Sequence, residues 1–314
     1  MRLHLPPRLA LATSLLLTSS LSDVADAQRL DTKLEFQKRS VELIYGATRF
    51  GKHSLDELAP GGEWRLGSNN ASTIVVGAPL VSGTTVVPPG SYRAKIHRGN
   101  SDDFSLMIEG AGYELSSNTS LYLPGTYADE KKSADKLDVR FSKAKDQPHH
   151  GRAGVLTVHF GPHSIAIPAT LAGSTPVKLK GFEVDAFAIP CETLEARAGR
   201  SDATVVASIR KKGRPAKDAP AAFNLLISDD EAVLLPVQIA PTDSYGFGDV
   251  TPPPPAWTFR GAVEWSDSQE EFDVCKIEAM EITKEKKLRF ILTCGARTAT
   301  VTIDLPIKAR RNAG

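Results

Sequence analysis

The sequence predicts an all-β protein, antiparallel and sandwich-like, with two packed β domains and very little helix. Three observations lead there. Apolar and polar residues alternate at period two along most of the chain, which gives a strand one core face and one solvent face. Gly and Pro clusters punctuate these runs as turns do. Helical patterning is confined to Ser54–Leu58 and Glu192–Ala198, each at most two turns long.

The elements follow in chain order. Arg2 and Arg8 precede an apolar run, LALATSLLL at Leu9–Leu17, and Ala25-Asp26-Ala27 supplies an A-x-A pattern. This is the layout of a secretory signal peptide over 1–27. The run is shorter than the roughly 20 residues that span a bilayer. Cleavage leaves Gln28 first, no later segment is long and apolar enough to be transmembrane, and the expected location is periplasmic or extracellular. Strand alternation then appears in Val41, Leu43 and Tyr45, in Tyr92, Ala94 and Ile96, and in Phe104, Leu106 and Ile108. It recurs in Leu137, Val139 and Phe141, and in Leu156, Val158 and Phe160. Pro60-Gly61-Gly62, Ser82-Gly83, Pro88-Pro89-Gly90 and Gly161-Pro162 are the turns between them.

The second half repeats the style at Thr204–Ile209, Phe223–Ile227, Val233–Ile239, Phe259–Trp265 and Thr298–Leu305, with a hairpin over 272–294. Lys211–Pro220 reads as a basic surface loop. Thr251–Pro255 (TPPPP) reads as a stiff polyproline spacer. A boundary near Gly173–Lys180 gives domains at 28–173 and 181–307, each of about seven strands, and a frayed tail at 308–314. The alternative is one larger β structure completed by the C-terminal strands.

Export permits disulfides. The three cysteines, Cys191, Cys275 and Cys294, allow at most one internal bridge. With a two-residue loop at Lys284-Glu285, Cys275 stands opposite Cys294, Ile277 opposite Leu292 and Ala279 opposite Phe290, all on one face. A four-residue loop moves the sulfurs out of opposition, and free buried thiols are the competing reading. No C-x-x-C occurs, which removes zinc-ribbon and thioredoxin-like readings.

Composition excludes further classes. The 314 residues carry 38 basic and 37 acidic side chains, so no basic excess points to nucleic acid. Hydrophobic residues at 41% and charged ones at 24% argue against wholesale disorder. No repeat period indicates a solenoid. There is no G-x-S-x-G elbow and no Gly-rich phosphate loop between strand and helix. Acidic pairs such as Asp102-Asp103, Asp229-Asp230 and Glu270-Glu271 sit in polar stretches, although a glycosidase pair assembles in space rather than in sequence. His149, His150, His159 and His163 are close enough in sequence to raise metal binding, but lack any matched carboxylate spacing. They read as solvated surface residues, and no metal or other cofactor is expected.

One stretch carries a resemblance. V-E-L-I-Y-G at 41–46, G-E-W-R-L-G-S-N-N-A-S-T at 62–73, P-P-G-S-Y at 88–92 and F-S-L-M-I at 104–108 resemble an uncharacterised secreted bacterial family, domain of unknown function twenty-nine eleven. Tyr45-Gly46, Trp64-Arg65, Gly67, Asn69, Ala71, Thr73, Gly90 and Tyr92 match its motifs. Ala47-Thr48, Leu66, Ser68, Asn70 and Ser72 depart from them. The resemblance covers 35–173 and implies a β-rich exported fold without a known activity. Trp64, Arg65, Asn69, Asn70 and Thr73 form the candidate ligand-binding set, since Trp offers a flat apolar face and Arg a rigid donor fork. In the competing reading Trp64 fills the core and Asn69 holds a turn.

The function expected from all this is a non-enzymatic module of the cell envelope that binds a small ligand, a glycan or an envelope protein. An extracytoplasmic hydrolase of carbohydrate or peptide, and a purely structural accessory domain, are the alternatives.

Overall fold

The computed structural model describes residues 29–51, 54–68, 71–101, 103–109, 120–148, 151–187, 189–190, 204–212, 222–227, 231–237, 259–266, 274–294 and 297–304. The signal-peptide segment, Asn69-Asn70, His149-His150, Cys191, Glu192–Ala198, Thr251–Pro255 and the tail lie outside the described residues, as does most of the basic loop 211–220. The fold is antiparallel β throughout. Among the described residues the only helical element is a 3-10 turn at Leu55–Glu57, capped by Ser54.

The first sheet has ten strands: β1 (Arg29–Phe36), β2 (Arg39–Gly46), β3 (Glu63–Trp64), β4 (Ser72–Val76), β5 (Leu80–Ser82), β6 (Thr85–Val87), β7 (Gly90–Arg98), β8 (Phe104–Glu109), β9 (Leu121–Lys143) and β10 (Gly151–Ala172). Their order is β1-β2-β4-β7-β8-β9-β10-β5-β6, with β3 also pairing β7. The apolar members of the alternating runs point inward: Val41, Leu43, Tyr45, Tyr92, Ala94, Ile96, Leu106, Ile108, Val139, Leu156 and Val158 are all buried. The sheet curls until its first strand meets β9, where the Phe141 N–H donates to Thr32 Oγ1 at 2.8 Å.

β9 lacks apolar alternation in its middle, and there its pairing with β10 breaks. Asp129 pairs with His163 and Ala134 with Gly161, so four residues of β9 stand against Pro162 alone. Such bulges bend a strand sharply. The freed backbone finds another partner: Phe50 N–H donates to Asp135 O and Leu137 N–H to Thr48 O, both at 2.9 Å. Gly161 sits here at φ +63, and the Phe50 ring fills the space its missing side chain leaves.

The second sheet also has ten strands: β11 (Ser174–Leu179), β12 (Phe182–Phe187), β13 (Ile189–Pro190), β14 (Thr204–Lys211), β15 (Ala222–Ile227), β16 (Glu231–Pro236), β17 (Phe259–Trp265), β18 (Val274–Ile282), β19 (Lys287–Cys294) and β20 (Arg297–Asp304). Their order is β11-β12-β14-β15-β16-β17-β20-β19-β18-β13. Gly173 alone separates the two sheets in sequence, and the segment read as a boundary is itself strand β11. Each sheet is richer than the seven strands the sequence suggested: in the first, the two- and three-residue strands β3, β5 and β6 leave no readable alternation, and in the second the additions are β11 in the segment read as a boundary, β12 after it and the two-residue β13.

The β18–β19 hairpin corrects one registration in detail. Thr283 N–H bonds Lys287 O at 2.9 Å, so the loop is the three residues Lys284–Lys286, with Lys286 at φ 65. That loop alone would misalign the cysteines by one. A bulge between Ile277 and Ala279 removes the offset, restoring Ile277 opposite Leu292 and Cys275 opposite Cys294. Ala279 pairs with Ile291 instead of Phe290, and Met280 takes the buried place opposite Phe290.

The two regions share apolar packing. Phe187, Ile189, Val205 and Leu226 belong to the second sheet, yet are buried in the core formed by the first. The rest of the second sheet keeps its own core around Val206, Leu225, Phe290, Leu292 and Val301. Burial of each such side chain stabilises by about 1.5–3 kcal/mol. We expect Leu226→Ala to cost about 2–5 kcal/mol, read by urea unfolding. Its hydrogen exchange should quicken in β6, which β14 touches, as well as β15; a change confined to the second sheet would refute the shared core.

Candidate functional site

The first two motifs meet in space at Gly46 and Gly67. Gly46 and Gly67 lie back to back: a Cβ on Gly67 would sit 2.0 Å from Gly46 O, and one on Gly46 would sit 2.4 Å from Ser68 O. Gly67 is at φ +103, a conformation open to glycine. Ser68 Oγ donates to Ala47 O at 2.6 Å, and Ser72 Oγ donates to Leu66 O at 2.7 Å and Arg65 O at 3.1 Å. Leu66 is fully buried. The third motif closes on itself. Tyr92 Oη donates to Pro88 O at 3.0 Å and lies over Gly90, whose added Cβ would be 2.6 Å from that oxygen. Burial pushes the Tyr92 hydroxyl far above its ordinary pKa, so it stays a donor.

Trp64 is half-buried and stacks on Phe160, centroids 5.1 Å apart, and Phe160 in turn meets Phe50 edge-on at 5.4 Å. Arg65 is exposed. Thr73 lies within β4, paired with Ile44 and Arg93. Asn69 and Asn70 lie outside the described residues. Trp64 thus caps an aromatic cluster, while Arg65 next to it points to solvent.

Of the histidines, His159 stands opposite Asp138 and His163 opposite Asp129. His163 has a carboxylate at each ring nitrogen: Asp129 Oδ1 at 2.9 Å from Nδ1 and Asp56 Oδ1 at 3.2 Å from Nε2. Tyr127 stacks on its ring at 5.3 Å. This arrangement ties the 3-10 turn to the β9–β10 hairpin. Among the described residues no cluster of three or more metal-ligating side chains forms a metal site.

A cleft of about 980 Å³ opens where the two sheets meet. One wall comes from the ends of β2, β4 and β7: Arg39, Val75, Val76, Gly77, Pro89, Gly90 and Ser91. The other is one face of β11, β12 and β14. Register aligns Lys178, Glu183 and Arg210 in one row, and Pro176, Asp185 and Ser208 in the next. Val75, Pro176 and Val237 give the cleft apolar surface, Leu179 and Val184 turn into the second sheet's core and Phe187 into the first, and Lys180 and Lys212 stand at the edge.

Polar bonds hold this junction. Arg39 donates to Asp185 across it. Asn224, buried, donates from Nδ2 to Pro89 O at 2.8 Å and accepts from Ser208 Oγ at 2.9 Å. Ser174 N–H donates to Gln37 Oε1 at 2.9 Å. Gln37 and Lys38, the β1–β2 turn, are at φ 49 and 64, a turn that prefers Asn-Gly. The strained turn therefore sits at the seam.

The cleft is cationic. Among the described lining residues, Arg39, Lys178, Lys180, Arg210 and Lys212 stand against two carboxylates, Glu183 and Asp185. Asp185 pairs with Arg39, and Glu183 lies 3.9 Å from Arg210. Lys178, Lys180 and Lys212 have no ion-pair partner among the described residues. Burial lowers the pKa of the Arg39 guanidinium below its ordinary value, and the like charge of Arg210 pushes it the same way. Sequence reasoning missed these residues. Lys178/Lys180, Glu183/Asp185 and Arg210/Lys212 each recur at period two, but only the register shows that the three pairs share a face.

No family model matches this chain, and neither do the curated proteins or the solved structures. The resemblance of 35–173 rests on the motifs quoted above, the first two of which pack against each other at Gly46 and Gly67. Gly67→Ala should cost about 3 kcal/mol or more, from a positive φ plus a backbone clash. Gly83→Ala, at φ +55 with open space around it, should cost about 1–2 kcal/mol. Equal midpoints in urea for the two variants would contradict the close-approach account.

Proposed function

We propose that this protein is an exported module of the bacterial cell envelope that binds a ligand or partner without transforming it, and that the junction cleft is its binding site. The signal-peptide layout of 1–27 supports export. The family resemblance of the first region agrees with it and adds no activity. The observation that carries the reading is the cleft itself: concave, part apolar and part charged, and placed between two β regions, where ligand sites concentrate. Its volume suits a ligand of drug size.

The hydrolase alternative has less support. The two carboxylates of the cleft are each engaged by an arginine, and no histidine, cysteine or tyrosine stands among its described lining residues. A glycan is also less well served, since the aromatic residues among the described lining are Phe182, packed on the second core, and Phe187, which is buried.

The test is hydrogen-exchange mass spectrometry with the concentrated small-molecule fraction of bacterial periplasm as the probe. Added to the full chain, it should slow exchange in 75–77, 89–91 and 176–185. Pro176→Trp, an exposed cleft residue enlarged to fill the space, should abolish the effect. Absence of protection, or equal protection in the variant, would sink the proposal.

Export has a second consequence. Opposed backbone positions on neighbouring strands suit a disulfide, so the exported protein should carry a Cys275–Cys294 bridge. Mass spectrometry should find two hydrogens missing and one alkylatable thiol, Cys191. Three alkylatable thiols would rule the bridge out.

A further inference from the structure

Resting on the reading of the junction cleft as a binding site, we propose that its ligand is a single-chain anionic amphiphile: an acyl chain or comparable apolar body ending in a carboxylate or similar monoanion. The cleft is divided to match. The apolar side chains that reach solvent in it, Val75, Pro176 and Val237, make its floor. Its polar groups are overwhelmingly donors. Arg39 and Arg210 already hold Asp185 and Glu183, which leaves Lys178, Lys180 and Lys212 as the cations with no ion-pair partner among the described residues.

These three have a common geometry. Lys178 and Lys180 are two apart on and just beyond β11. Lys212 N–H donates to Gly181 O at 3.0 Å, which brings the end of β14 against the β11–β12 turn. The three residues therefore stand at one end of the cleft, their ammonium groups carried on long flexible stems. A headgroup bound there gains charge-assisted hydrogen bonds, and the chain behind it leaves water along the apolar floor. A cation would meet like charges. A purely polar anion would leave the apolar floor wet. A neutral amphiphile would forgo the lysines.

Calorimetric titration of the full chain with decanoate, decyltrimethylammonium, decanol and acetate separates these cases. Decanoate should bind one per chain, at least tenfold tighter than each of the other three, and more weakly as salt screens the lysines. The triple variant Lys178→Gln/Lys180→Gln/Lys212→Gln, exposed positions whose change should leave the urea midpoint unmoved, should weaken decanoate at least tenfold and leave decanol unchanged. Decanol as tight as decanoate would overturn the charge requirement while keeping the cleft as a site. Acetate as tight as decanoate would overturn the apolar one. No heat with any of the four would overturn the amphiphile, and the exchange experiment above would then judge the site on its own. Sedimentation with anionic phosphatidylglycerol vesicles that excess decanoate fails to reverse would assign the lysines to a membrane surface and defeat the proposal.

Discussion

Phe187, Ile189, Val205 and Leu226 enter the core of a sheet to which they do not belong, and the rest of the architecture is arranged around that intrusion. Four apolar side chains buried across a seam contribute several kcal/mol and hold two ten-stranded sheets as neighbours. Once that contact is made, the polar groups beside it must be satisfied, because an unpaired buried polar group is costly. Asn224 meets Pro89 O, Gln37 meets the Ser174 N–H, and Arg39 meets Asp185. The cleft is the space left beyond those bonds, where the face of β11, β12 and β14 parts from the ends of β2, β4 and β7.

The motifs that stand out in the sequence do a different job. Gly46 and Gly67 are needed because two backbones touch, and Gly90 because Tyr92 folds over it. Ser72 secures the loop through two carbonyls, and Trp64 covers Phe160. This is the chemistry of a closed loop on a β scaffold. Loops on rigid scaffolds often carry function. Here the motif loop consists largely of its own packing, whereas the cationic groups cluster at the seam.

Local periodicity made much of the fold legible. Strand faces such as Val41/Leu43/Tyr45 and Leu156/Val158/Phe160 follow from alternation, because side-chain direction along a strand has a period of two regardless of its partners. The pairing of Cys275 with Cys294 was also readable, although by a simpler route than the chain takes: a three-residue loop offset by a bulge replaces a two-residue loop. Bulges and strands of two or three residues leave no periodic trace, so β3, β5, β6, β13 and the place of Ala279 were beyond that reasoning. So were Arg39, Lys178, Glu183, Asp185 and Arg210 as a group, since they are separated by up to about 170 positions in sequence.

The sequence by itself therefore determined the class of secondary structure, the inward and outward residues of the longer strands, the export-like N-terminus and the glycine-bearing turns. Each depends on a residue and its near neighbours. The tertiary structure alone decided the order of the strands, the shared core and the cationic cleft. Register and sheet-to-sheet packing are settled by contacts between distant segments, whose free energy appears only when both sides are in place.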